Sequence, residues 1–240
     1  MTIEAELDTR TGSAPDIARR TRHRGRWIVV SVVVILVLVG VAVGIYTNFS
    51  AEPPLALPTT AAGAPVGSPD GTWMVAAGSV AGYRIQQTVL GLSGDVVGRT
   101  KDVTGTIVVA NDVVDSGTFS IDLTTVTAAG KVQPQFATSL DTRDHPRATF
   151  TLARPITLGP AFASGESIAA TATGQLALNG TSRPVTARIS GRRDGSTLEV
   201  VGSIPVAFSD WGIRGPTGYG ALGSLADHGV AEFLLILHRA

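Results

Sequence analysis

Few side chains in this sequence combine the types and spacings that chemistry requires. Its four histidines, His23, His145, His228 and His238, are far apart, and none forms an HExxH or another short metal-ligand spacing. No metal site is therefore expected. There is no cysteine, which excludes disulfides, thiolate metal sites and a cysteine nucleophile. Neither a Gly-x-Ser-x-Gly elbow nor a phosphate-binding P-loop occurs. Asp141 and Asp144 flank Arg143 and come nearest to a paired-carboxylate arrangement. Three residues apart in a turn, they read better as groups that cap or bind backbone. His145 precedes Pro146, so it belongs in an extended or turn segment and is given a structural role. Asn48-Phe49-Ser50 and Asn179-Gly180-Thr181 fit a glycosylation pattern, but the second is better explained as a hairpin turn. No catalytic residue is assigned, and the chain is not read as an enzyme.

The elements that would position a site begin with an uncharged run from Ile28 to Ile45, IVVSVVVILVLVGVAVGI, bounded by Trp27 and Tyr46. As a helix it would span roughly 27 Å, close to the thickness of a bilayer's hydrocarbon core. Aromatic flanks suit the membrane interface. A secretory signal has a shorter apolar region, of about 7–15 residues, so an uncleaved anchor is favoured. A buried core helix is the alternative. Arg19, Arg20, Arg22, Arg24 and Arg26 precede the run, and no Lys or Arg follows until Arg84. The positive-inside rule then predicts a single-pass protein of the cell membrane, with a cytoplasmic N-terminus and the rest outside. Residues 1–27 carry six Arg against four acids, and the remainder carries 13 Lys and Arg against 15 Asp and Glu. Neither part implies a strongly charged partner. The basic cluster abuts the span and has no DNA-binding motif around it, so nucleic acid is not expected.

Four segments follow: a disordered tail over 1–26, a transmembrane helix over 27–46, a Pro-rich linker over 47–71 and a domain over 72–240. The linker contains Pro53, Pro54, Pro58, Pro65 and Pro69. Repeated proline predicts an extended spacer, with a reach of at most about 70 Å, that holds the domain off the membrane. The alanines from Ala61 to Ala64 leave open a cut that would release it.

From Thr72 onward the hydrophobic period is two. Tyr83, Ile85, Gln87 and Val89 alternate with Arg84, Gln86 and Thr88, and Phe119, Ile121 and Leu123 alternate with Ser120, Asp122 and Thr124. Ile168, Ala170, Ala172, Gly174, Leu176 and Leu178 share a face, as do Leu198, Val200, Gly202, Ile204 and Val206. The closing run, with Ala231, Phe233, Leu235 and Leu237, is apolar on both faces, so cover on both is expected. Asn179-Gly180 and Asp194-Gly195 each predict a tight type I′ hairpin. Only Pro134 to Leu140 reads as helix. Many short strands with one small helix predict an all-β antiparallel barrel or sandwich.

Four stretches together resemble the YceI-like family of lipid-binding proteins: DTRDHPRATFTL from Asp141, GQLALNGTSRPVTARI from Gly174, DWGI from Asp210, and DHGVAEFLLIL from Asp227. The resemblance covers the chain from about Thr72 to Ala240. It implies an extended, lipocalin-like, eight-stranded antiparallel barrel around a polyisoprenoid chain, here preceded by a transmembrane helix. This sequence departs from the family in its tether and in lacking a His in the stretch from Tyr83 to Val89.

A barrel of eight strands is just wide enough to be filled by its own side chains or to hold one small ligand. If the face with Ala170, Ala172 and Gly174 points inward, three small residues leave volume. Alternatively, Phe119, Phe150 and Phe233 fill it. The expected lining is Phe119, Ile121, Phe136, Phe150, Ala170, Ala172, Gly174, Leu176 and Phe233. A pyrophosphate or quinone head would meet Arg143, Arg147 or Arg214 at the mouth, unless these are only solvated surface arginines. Trp211 is expected to pack at a barrel end, with Gly212 as a bend. The function expected is non-enzymatic binding of an isoprenoid lipid or quinone for transport, storage or sensing, with no other cofactor. A filled-barrel structural or interaction module of the cell envelope is the alternative, and association as a homodimer is left open.

Overall fold

The structure, a computed structural model, describes residues 33–36, 52–215 and 223–240. The chain divides into two units, Met1–Tyr46 and Thr47–Ala240. In the first, only Val33, Val34, Ile35 and Leu36 are described, as exposed helix. The predicted span otherwise lies outside the described residues, as do the tail and the linker up to residue 51. Among the described residues no helix is long and apolar enough to cross a membrane.

The second unit is built from antiparallel strands. In chain order they are β1 (Gly71–Val75), β2 (Val80–Val89), β3 (Leu92–Thr100), β4 (Val103–Ala110) and β5 (Val113–Asp122). Then come β6 (Thr127–Ala128), β7 (Lys131–Val132), β8 (Arg147–Leu152), β9 (Ile156–Thr157) and β10 (Ile168–Leu178). The last are β11 (Thr181–Asp194), β12 (Thr197–Ala207), β13 (Gly223–Leu225) and β14 (His228–Arg239). The order β1-β4-β5-β8-β10-β11-β12-β14 closes on itself through the β1–β14 pair, giving an eight-stranded ring. β2 takes over from β1 along the first half of β14 and carries β3 with it, which extends the wall at one end.

Closure leaves no exposed edge along the ring. It also assigns each residue to a face, because register and period together fix inward and outward positions. The faces expected from the alternating patterns are those observed: Leu198, Val200, Gly202, Ile204 and Val206 line up opposite Leu237, Leu235, Phe233, Ala231 and Gly229.

The Asn179-Gly180 hairpin forms with both residues at positive φ, +49° and +69°, as a type I′ turn requires. The second predicted turn is shifted by one residue. Asp194 pairs with Thr197, so the loop is Gly195-Ser196, and of these only Gly195 has positive φ. That is the type II′ pattern. The short helix is present as Pro134–Ser139, and a second, Gly159–Ala163, was not foreseen.

The Pro-rich stretch is not a free spacer over residues 52–70. It runs along the outer wall and then across one end of the barrel. An extended proline-rich chain has no internal hydrogen bonds, so its carbonyls need outside donors. Four barrel arginines supply them. Arg84 donates to Glu52, Arg192 to Pro58 and Thr60, Arg193 to Val66 and Gly67, and Arg239 to Ser68 and Asp70. The amide of Val66 also donates to Gly195, and that of Gly63 to the Asp194 carboxylate. The Leu55 amide lies at 3.5 Å from the Glu232 carboxylate on the outer side of β14, where Val230, Leu234 and Ile236 remain half-buried.

Candidate functional site

Two packed clusters occupy the barrel. One, at the end crossed by residues 66–70, contains Trp73, Val109, Phe162, Leu198, Leu235 and Leu237. The other, at the end carrying the Asn179-Gly180 turn, contains Leu123, Leu140, Leu176, Leu178, Ile204 and Trp211. Ile121, Leu152, Ile156 and Phe233 touch both clusters yet are only half-buried.

Burial along the long strands locates the space between the clusters. On β12, Leu198 and Ile204 are buried, while Val200 and Gly202 between them are half-buried. On β14, Leu235 and Leu237 are buried and Phe233 and Ala231 are not fully so. Ile189 on β11, Ala170 on β10, Phe119 and Ile121 on β5, and Phe150 and Leu152 on β8 are likewise inward and half-buried. Interiors are normally close-packed. An inward apolar belt that keeps accessible surface marks the barrel's waist as less closely packed than the clusters on either side.

Glycines place the aromatic rings that line it. A Cβ at Gly202 would lie 2.3 Å from Phe233 Cζ, one at Gly174 2.4 Å from Phe150 Cζ, and one at Gly98 2.3 Å from Tyr83 Cε1. Each ring lies flat over a glycine on the neighbouring strand, pressed to the wall rather than projecting across the barrel. The gap above Gly174 is therefore taken by Phe150, the filling outcome at that one position. Ala172 and Leu176 are buried inside the second cluster, at 5% and 6% exposure. Ala170 borders the belt, and Phe136 stacks on Tyr83 with ring centroids 4.7 Å apart. Tyr83 belongs with the lining set. The signal for it was its inward parity opposite Gly98.

The barrel is closed at one end. Arg193, on the inward face of β11 and 3% exposed, donates to Ala163, Val66 and Gly67. Trp73 donates its indole N–H to Pro69. On the other side of the waist, half-buried inward residues continue through Tyr83 and Ile85 to Phe136. A groove of about 600 Å³ lies between Pro54, Leu55 and wall residues of β10, β11 and β12, both outward ones such as Arg188, Ser190 and Ser203 and the waist residues Ala170, Ile189 and Gly202.

The three arginines expected to meet a head group, Arg143, Arg147 and Arg214, are all exposed. Arg147 lies on the outward face, opposite Asp122, because its neighbour Ala148 points in. Among the described residues the carboxylates of Asp141 and Asp144 accept no hydrogen bond. It is the Asp141 carbonyl that accepts from the amides of Asp144 and His145. The His145 ring packs on the Gly180 turn. Trp211 is buried at the barrel end and donates to Leu176, and Gly212 turns the chain at φ +63°. Among the described residues no group of three or more His, Asp or Glu is placed to hold a metal ion.

An outer-wall charge cluster stabilises the scaffold. Glu232, with its side chain 7% exposed, bridges Arg84 at 2.8 Å and Arg99 at 2.5 Å. Burial raises its pKa, but the hydrogen bonds and charges of the two arginines outweigh burial and hold the carboxyl below its ordinary 4.5.

The class the structure defines is a closed eight-stranded antiparallel barrel with an inward apolar, aromatic-bearing belt. The YceI-like domain profile matches residues 73–231, and the chain belongs to that family. Among solved structures it is similar to a polyisoprenoid binding domain from Saccharophagus degradans, at 16% identity over 71% of this chain and 99% of that one, with a TM-score of 0.55. It is also similar to BcnA of Burkholderia cenocepacia, at 18% identity over 65% and 95% of the two chains, with a TM-score of 0.47. The YceI protein of Campylobacter jejuni matches at 13% identity over 60% and 84%, with a TM-score of 0.43. No curated protein sequence matches.

Proposed function

We propose that this protein binds an isoprenoid lipid or quinone in the waist of its barrel, without catalysis, and carries, stores or senses it at the outer face of a membrane. The half-buried inward belt supports this reading most directly. A filled barrel would bury Phe119, Phe150, Val200 and Phe233 as fully as Leu198 and Leu237. An apolar void is a suitable host for an apolar guest, and each methylene buried there is worth about 0.8 kcal/mol. Affinity can thus build up without a polar constellation. The Saccharophagus degradans relative, a polyisoprenoid binding domain, points the same way.

Membrane location rests on the run from Ile28 to Ile45 and the arginines before it. The test is solvent extraction and mass spectrometry of the full chain purified from its own membranes. Recovery of a prenyl lipid or quinone in near-stoichiometric amount is expected. Protein that repeatedly yields neither would favour the filled-barrel module instead.

A further inference from the structure

Tyr83 occupies an inward position of β2, directly opposite Gly98 of β3. Its ring is fixed from both sides. The missing Cβ of Gly98 lets one face lie on the wall, and Phe136 stacks on the other at an interplanar angle of 14°. Among the described residues its hydroxyl makes no hydrogen bond. Burial pushes its pKa up to about 12, further above physiological pH than the ordinary phenol value, at which it is already a protonated donor. The residue is half-buried and its hydroxyl keeps accessible surface, so the donor is open to a guest.

Cations are not available for the same task. Arg193 and Arg183 occupy inward positions, but Arg193 is held at the closed end, where Nη1 and Nη2 donate to carbonyls and Nε is buried without a partner among the described residues. Arg183 is exposed and donates to the carbonyl of Asp210. No Lys is found at an inward ring position among the described residues.

We infer that the Tyr83 hydroxyl is the lumen's polar handle: it donates a hydrogen bond to a neutral oxygen, a hydroxyl, ether or carbonyl, on the head of the guest. The head then sits beside Phe136 and the apolar tail runs along the waist. A multiply charged head such as a pyrophosphate has no counter-charge here. This rests on the lipid-binding reading and narrows it to oxygen-headed neutral chains.

The test compares phytol with phytane, the same branched carbon skeleton with and without the hydroxyl, on the full chain and on Tyr83→Phe. Phenylalanine keeps the ring between Gly98 and Phe136. The intact protein is expected to prefer phytol by about tenfold, the size of one neutral hydrogen bond. Tyr83→Phe should bind both at the phytane level. Phytyl methyl ether keeps an acceptor oxygen and loses the donor, so it should bind the intact protein as phytol does. A preference that survives in Tyr83→Phe, or an ether that binds like phytane, overturns the assignment while leaving the lumen in place. Failure of the intact protein to bind any of the three overturns the lipid-binding reading, and the handle with it.

Discussion

Replacing Gly202 by alanine should narrow the lumen from the wall side. The added methyl would sit 2.3 Å from Phe233 Cζ and 2.8 Å from Cε2. Carbon atoms settle at about 3.5 Å or more, so the ring must withdraw by about 1.2 Å. The Arg188 carbonyl, 2.9 Å from the new methyl, hinders escape the other way. Phe233 therefore moves toward the waist. Overpacking of this kind costs about 1–3 kcal/mol of stability, read from denaturant melts. The effect on the guest is separate. Every methylene of the chain excluded from the waist weakens binding by about 0.8 kcal/mol, roughly fourfold. Gly202→Ala should therefore lower affinity for a prenyl probe several-fold, and Gly202→Ala with Phe233→Leu should recover it by giving the volume back. Titration of a prenyl alcohol against both variants, each confirmed folded, is the assay. Undiminished affinity in Gly202→Ala would refute the idea that these rings bound the binding space.

Two further predictions concern the scaffold. Glu232→Gln leaves Arg84 and Arg99 without their shared carboxylate and should cost roughly 3 kcal/mol, as expected for breaking a buried pair. Because the folded pKa of Glu232 lies below its unfolded value near 4.5, its contribution is complete above that pH and is lost as pH falls through the folded pKa. Melts of the parent should therefore lose stability below about pH 4.5, and Glu232→Gln should lack that component. An identical acid limb in both would contradict the assignment. Arg193→Met removes the donors that hold Ala163, Val66 and Gly67 at the closed end. Hydrogen exchange at the Val66 amide, bonded to Gly195, should accelerate while Leu235 and Leu237 stay protected. Unchanged protection at Val66 would mean that the arginine does not hold the segment.

Much of the wall was legible because a strand with one buried face writes its period into the residues. Trp211 and the Asn179-Gly180 turn were legible because their chemistry is local. The hairpin at Asn111-Asp112, both at positive φ, carries a local signal of the same kind. Other features depend on register or on partners remote in sequence. Phe150 over Gly174 and Phe233 over Gly202 follow only once the strands are aligned, since a slip of one residue reverses every face. Ala172 and Gly174 looked like vacant volume for the same reason: the side chains that cover them come from other strands. The docking of residues 52–70 was hidden more deeply. Proline content predicts an extended chain, but its carbonyls carry no side-chain signature of the arginines that bind them.

Xenon tests the hollowness of the waist most directly. Crystals of the delipidated full chain under xenon pressure should show a bound atom in van der Waals contact with Phe233, Val200 and Ala170, between the two packed clusters. Side chains closed over that region, with no xenon and no room for a single water molecule, would contradict the account.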